Sequence, residues 1–407
     1  MSKRTFSVVV RIAAVLCGLL AGAVAVEGVF QILEHRDNAH RGYEGDGCGV
    51  VADERWGWRL RVGECVWNEP EFTTTFTNNA LFMNDEPYAP GADEGKTRIL
   101  ALGDSHTQAV GVNPLESWPK ILQRGLNSRF GEASFRVYNS GTGAYNLHSY
   151  LLRLIDQGPQ LKPDYVVVGF CYCSDLYDLL PPSHGGWAFM GDIARTYFDF
   201  DETGQLVEKH WDPSSQPANA DVAFRLSRRH NVATQVREVI ENFATFRYLR
   251  RSNLALMIGS RLRLGGESLW PNMEVVVEKE VSRGHEYNWR LAEALLEKIK
   301  LETVKQGAQL VVLGIPYLPQ VYDETWQSTF GGNPKYDREA AINRLRKWLQ
   351  SKQIPYIDST DALRAYVQKT GKWVHYRKDA HPTAEGQEIM ARTLVESGLF
   401  VPQSKSR

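Results

Sequence analysis

The chain has 407 residues, 43% of them hydrophobic and 23% charged, with a formal net charge of -1. That length and balance suit one large α/β domain carrying an insertion and exclude a chain-wide electrostatic partner such as nucleic acid. The sequence also shows no internal repeat, long low-complexity tract, Cys/His metal pattern or Gly-rich phosphate loop, so no metal or dissociable cofactor is expected.

Lys3 and Arg4 precede Val8-Val9-Val10, Arg11, an uncharged run from Ile12 to Val26, Glu27, and a further apolar stretch to Leu33. A spanning helix needs about 20 mostly apolar residues. The stretch from Val8 to Leu33 supplies that length if Arg11 reaches the interface and Glu27 lies toward the far side. Residues 1–33 therefore read as a transmembrane signal anchor with a cytoplasmic N-terminus, which makes the rest extracytoplasmic, whether periplasmic or at the cell surface. Ala21-Gly22-Ala23 and Ala23-Val24-Ala25 resemble cleavage sites, so a removed signal peptide is the alternative.

Residues 34–96 are polar and rich in turn formers, with β-like pieces such as Phe72–Thr77. They read as a stalk and a small β-rich lead-in. Cys48 and Cys65 lie there, and two readings stay open: a disulfide, or two unrelated thiols.

An α/β rhythm follows over 97–399, ahead of a short tail at 400–407. Short apolar runs predict strands at 97–102, 134–139, 165–171, 308–315 and 354–358. Helical spacing predicts helices near 115–128, 146–157, 286–306, 336–352 and 382–397. The alternation implies a three-layer α/β/α, flavodoxin-like fold, with about five parallel strands covered on both faces. Ligands in such sheets bind at the carboxyl ends of strands, where Ser105, the run Asn139–Gly143, Cys173-Ser174-Asp175 and Ile315-Pro316 fall. Residues 176–285 break the rhythm and read as a large insertion after the third strand, a lid or substrate-binding element. It contains a strand and turn at Tyr197–Gly204 and helical pieces around 220–262. Arginines cluster there from Arg225 to Arg263. They read as a solvated helical face, the sharper alternative being contact with an anionic glycan or a membrane surface. Cys171 and Cys173 are expected to alternate on a strand, point to opposite faces, and pack rather than bind metal.

The chemistry concentrates in two short runs. Gly103-Asp104-Ser105-His106 ends the first strand, and Asp379-Ala380-His381-Pro382 opens the last helix. A serine hydroxyl is a poor nucleophile until an imidazole takes its proton, and the imidazolium needs a carboxylate beside it. A helix beginning at Ser105 also favours developing negative charge at its first N–H groups. The plainer alternatives are a helix cap for Ser105 and a surface side chain for His381. His106 reads as a packing or rim residue, His375 as a weaker alternative base, and Asp358 and Asp361 as weaker alternative carboxylates.

The run from Ile99 through Ser105 to Ala109 resembles the first block of the SGNH or GDSL esterase/lipase family. The run from Asp379 to Gly386 resembles its last block. The likeness spans about 97–175 and 286–397, and the lead-in runs Asp53–Leu60 and Thr77–Leu81 resemble a membrane-anchored bacterial branch. The resemblance implies Ser105 as nucleophile, His381 as general base and then acid, and Asp379 as the orienting carboxylate. It implies oxyanion donors from the Ser105 N–H, from a backbone N–H at Gly143 or Ala144, and from a third position. That third position is normally an asparagine and here is Ser174. The expected activity is a membrane-anchored serine esterase that removes acetyl or other acyl groups from an extracytoplasmic glycan. Polysaccharide O-acyl transfer with the same triad, or a degenerate carbohydrate-binding or assembly role, are the alternatives.

Overall fold

The computed structural model describes residues 15, 17–19, 21–32, 42–181, 193–215, 273–377 and 379–403. The chain divides into two compact units, Met1–Gly42 with Ala218–Leu264, and Tyr43–Pro217 with Gly265–Arg407. In the first unit the described residues between 15 and 32 are helical, and Val15, Leu19, Val24, Val29 and Ile32 are exposed. Among the described residues no helix is long and apolar enough to cross a membrane. The helical pieces expected at 220–262, and their arginines, lie outside the described residues.

The second unit opens with β1 (Gly42–Glu44), β2 (Val50–Asp53), β3 (Gly57–Leu60), β4 (Gly63–Glu69) and β5 (Phe72–Asn78). These build a three-stranded sheet, β1-β4-β5, and an antiparallel β2-β3 pair. Cys48 and Cys65 are joined in a disulfide, which decides between the two readings left open.

The core then follows as β6 (Thr97–Gly103), α1 (Ser105–Gln108), α2 (Trp118–Phe130), β7 (Phe135–Gly141), α3 (Leu147–Leu161), β8 (Tyr165–Cys171) and α4 (Ser174–Tyr177). After it come an antiparallel hairpin, β9 (Arg195–Phe200) and β10 (Leu206–Trp211), and then α5 (Arg283–Lys305) and β11 (Gln309–Ile315). The unit closes with α6 (Ala340–Ser351), β12 (Tyr356–Asp358), α7 (Thr360–Thr370) and α8 (Ala384–Glu396). β9 carries the strand expected at Tyr197, and the hairpin falls where an insertion after the third core strand was expected.

The five core strands pair in parallel in the order β12-β11-β8-β6-β7. Their side chains alternate between two apolar layers, as the two-residue period of a strand requires. Ile99, Ala101, Val137, Val167, Val311 and Leu313 pack with α2, α7 and α8. Leu100, Leu102, Val166, Val168, Leu310 and Val312 pack with α3, α5 and α6 on the other face. The fold is a three-layer α/β/α sheet with flavodoxin-like strand order. β7 lies on one side of β6 and β8 on the other, so the order reverses at the β6/β8 junction. The crevice at such a switch point is where ligands enter sheets of this kind.

Candidate active site

The site stands on a floor of three glycines. Gly103, Gly141 and Gly169 sit side by side where β6 pairs with β7 and β8. A Cβ on Gly103 would lie 2.0 Å from Thr107 Oγ1, one on Gly141 2.2 Å from the Gln108 N, and one on Gly169 2.5 Å from Thr107 Oγ1. Only glycine lets α1 settle this close to the sheet, and α1 begins with Ser105.

Asp104 caps α1: its Oδ1 accepts the His106 N–H at 2.9 Å. Its Oδ2 accepts from the Ser174 hydroxyl at 2.6 Å and lies 3.2 Å from His106 Nδ1. Burial raises the Asp104 carboxyl's pKa, but the charge of His106 and these hydrogen bonds outweigh it, and the group ends below its usual range. Ser105 itself is half-buried. Among the described residues its N–H has no acceptor, as befits the first turn of a helix.

The C-terminal loop comes back to this turn. Asp379 Oδ1 bonds His381 Nδ1 and accepts the His381 N–H at 3.3 Å. Burial pushes the Asp379 carboxyl up, while the hydrogen bond and charge of His381 pull it further down, so it is an anion at neutral pH. With Nδ1 taken, Nε2 is the nitrogen left to accept a proton. The His381 ring is about one-fifth exposed and lies 5.2 Å from the His106 ring, centroid to centroid. Gln387 on α8 locks the approach: its Nε2 donates to the His106 carbonyl at 3.0 Å and its Oε1 accepts the Trp118 N–H at 2.9 Å.

The third side is the loop after β7. Thr142 N donates to the Gly103 carbonyl at 3.1 Å, which ties this loop to the end of β6. The Gly143 N–H donates to Gln108 Oε1 at 2.7 Å and is therefore committed. The next residue, Ala144, adopts φ +62°, a conformation that favours glycine, and its N–H has no acceptor among the described residues. Ser174 can donate only one hydrogen bond, and that bond goes to Asp104. Of the four expected oxyanion positions, Ser105 and Ala144 carry uncommitted N–H groups, whereas Gly143 and Ser174 are engaged elsewhere.

The weaker alternatives are placed differently. His375 is buried with Nδ1 3.0 Å from the Tyr322 hydroxyl, and burial pushes its pKa down to about 3. Asp358 bonds the Tyr172 and Tyr356 hydroxyls, and Asp361 is exposed beside Arg364.

Two features escaped the sequence reading. Glu71, in the β4–β5 turn, accepts the Arg377 and Asp379 N–H groups at 3.0 and 3.1 Å and so shapes the loop that carries His381. Nothing in a single sequence marks that contact. The second is a correction. Cys171 and Cys173 do not point to opposite faces, because β8 stops at Cys171 and Cys173 has helical φ -71° and ψ -63°. A His106 ring nitrogen and both sulfurs lie within 4.8 Å of one another. Of the two readings for His106, packing or rim, its burial against these thiols bears out packing. Burial opposes its charge, but Cys171 and Asp104 raise it well above the ordinary histidine value. Burial likewise raises the Cys171 thiol, while the Cys173 hydrogen bond and His106 draw it well below its ordinary value.

No protein-family model and no curated protein matches the chain. Among solved structures it is similar to a catalytic mutant of an acetylxylan esterase from Geobacillus stearothermophilus, at 14% identity and a TM-score of 0.38, over 77% of this chain and 100% of that one. It is also similar to TesA, at 12% identity and a TM-score of 0.36, over 74% and 97%. A member of the lipolytic G-D-S-L family from Veillonella parvula follows at 9% identity and 0.35, over 75% and 100%. Superpositions this loose add no argument about activity. What the fold and site define by themselves is an α/β/α protein whose Asp379–His381 pair lies beside His106, the residue after Ser105, at the end of β6.

Proposed function

We propose that the protein is a serine esterase of the SGNH or GDSL kind, working through an acyl-enzyme. The observation that carries this reading is the Asp379–His381 pair, delivered by the C-terminal loop to the turn that begins with Ser105. In this mechanism His381 Nε2 takes the Ser105 proton as Oγ attacks the ester carbonyl. The Ser105 and Ala144 N–H groups receive the developing oxyanion, and anionic Asp379 stabilises the imidazolium. His381 then returns the proton to the leaving alcohol, and a water activated by the same nitrogen releases the acid.

The substrate we propose is an acetylated or otherwise acylated extracytoplasmic glycan, reached by a protein held at the membrane through its N-terminal segment. Lys3 and Arg4 ahead of an apolar run support this placement, as do the exposed apolar residues between Val15 and Ile32. The Cys48–Cys65 disulfide suits an oxidising compartment.

The engaged Ser174 hydroxyl favours a second reading, a carbohydrate-binding or assembly protein that keeps the cleft with little turnover. Acyl transfer to a sugar hydroxyl would use the same intermediate. Labelling by a fluorophosphonate probe separates these readings. Labelling that vanishes in Ser105→Ala and weakens in His381→Ala is expected, and a sugar that competes with water for the acyl group would reveal transfer. A folded wild-type protein that takes no label would move the reading to binding alone.

A further inference from the structure

We propose that His106, Cys171 and Cys173 form a site for a thiophilic d10 cation, Zn2+ in the first instance. The inference goes beyond the esterase reading and does not depend on it. Two separate pieces of chain supply the donors: His106 comes from α1, and the two cysteines flank Tyr172 where β8 turns into α4. Their ligand atoms lie within 4.8 Å of one another and all three residues are buried. In tetrahedral zinc with one nitrogen and two sulfurs, donor atoms sit roughly 3.5–3.8 Å apart, from bonds of about 2.0 and 2.3 Å. Closure onto a metal therefore needs side-chain shifts of about 1 Å.

The surroundings of His106 point the same way. A metal-bound histidine characteristically offers its other ring nitrogen to a carboxylate, which fixes ring orientation and tautomer. Asp104 Oδ2 holds that place at 3.2 Å from Nδ1, and the Ser174 hydroxyl holds the carboxylate in turn at 2.6 Å. Nε2 is thereby left for the metal. Two thiolates and an imidazole suit zinc, and hard oxygen-seeking cations such as Mg2+ or Ca2+ would not compete. Three protein ligands leave a fourth position for water. Binding releases two protons to solvent, one from Cys173 and one held between Cys171 and His106, and changes no oxidation state. The cation would link the turn that carries Ser105 to the turn that carries Ser174.

The test uses the full-length protein, stripped by a chelator and titrated anaerobically with Co2+. One equivalent should bind, with thiolate-to-cobalt charge-transfer absorption and the strong visible bands of a four-coordinate ion, and Zn2+ should displace it. Cys171→Ser and Cys173→Ser should each weaken binding at least tenfold and diminish the charge-transfer band. Asp104→Asn, which keeps all three ligands, should weaken binding by about 10–100-fold. If a serine variant does not fold, alkylation of the wild-type thiols reads the same site. Zn2+ should slow modification of Cys171 and Cys173. The proposal fails on any of four results: no charge-transfer band in folded wild-type protein, an unchanged band in both serine variants, alkylation indifferent to Zn2+, or an isolated protein with Cys171 and Cys173 already joined as a disulfide.

Discussion

Ala144 holds a conformation that costs an L-residue about 1–2 kcal/mol relative to glycine, and it does so in the loop whose N–H we propose as the second oxyanion donor. Such strain persists where the surroundings over-determine the backbone. Ala144→Gly keeps the N–H and removes the Cβ penalty, less the extra chain entropy of glycine. The variant should be more stable by about 1 kcal/mol in urea unfolding, with probe labelling of Ser105 retained. Ser174 carries a sharper prediction. Loss of a true oxyanion donor lowers kcat by about 10²–10³-fold. Because the Ser174 proton goes to Asp104, Ser174→Ala should lower kcat on an acyl ester by less than about tenfold. A hundredfold loss would return Ser174 to the oxyanion hole. The Asp379–His381 pair and its return to the turn after β6 were legible because each residue sits in a short local pattern. The true partner of Ser174 was not, because Asp104 lies far away in sequence and no local pattern links the two.

Element by element, the sheet was the most readable part of the chain. All five strands were expected within a few residues of where they form, since a strand buried on both faces is a continuous apolar run. β12 is the shortest, Tyr356–Asp358 against an expected 354–358. α7 was missed: only Thr360 and Leu363 are buried along it, so its apolar stripe is thin. Tertiary packing rather than pattern forms it. The docking of the β9–β10 hairpin was also beyond sequence. His148 on α3 makes that joint, with Nε2 donating to the Leu179 carbonyl at 2.9 Å and Nδ1 accepting the Phe198 N–H at 3.2 Å. Those two bonds require the neutral ring. Burial pushes its pKa down to about 4 from an ordinary 6.5; the Leu179 carbonyl and Asp199 oppose the shift, and Arg195 adds to it. The unfolded chain takes up a proton below pH 6.5 that the folded chain refuses until about pH 4. The His148 contribution to stability is therefore complete above that upper value and is lost as pH falls through the window. The full loss amounts to about 3 kcal/mol. In urea unfolding, the advantage of wild type over His148→Gln should shrink by most of that amount between about pH 7.5 and pH 4.5. An advantage that stays constant would mean that His148 titrates normally in the fold.

At the scale of the whole second unit, the lead-in before the sheet is a brace rather than a free stalk. The Trp58 indole N–H donates to the Gly143 carbonyl at 3.1 Å, and the Tyr145 hydroxyl bonds the Trp58 carbonyl. Asn84 Nδ2 donates to the Gln108 carbonyl at the end of α1 at 3.0 Å, and the Thr74 hydroxyl donates to the Val112 carbonyl at 2.6 Å. Glu71 holds the loop of Asp379, and Phe72 packs on Tyr376 with ring centroids 4.9 Å apart. The Cys48–Cys65 link joins positions 17 apart in sequence within this brace, and Cys65 packs with Phe72 and Phe76. All three sides of the site thus lean on residues that precede the first core strand. A chain that begins at Thr97 keeps every strand of the five-stranded sheet and every proposed catalytic residue, yet it strips the supports from the loop after β7, from α1 and from the loop that carries His381. Misplacement of about 1 Å can cost a reaction a hundredfold. A chain that begins at Tyr43 should label with a fluorophosphonate at the wild-type rate, and the chain from Thr97 should label at least a hundredfold more slowly or not at all. Equal rates would mean that the sheet alone positions Ser105 and His381.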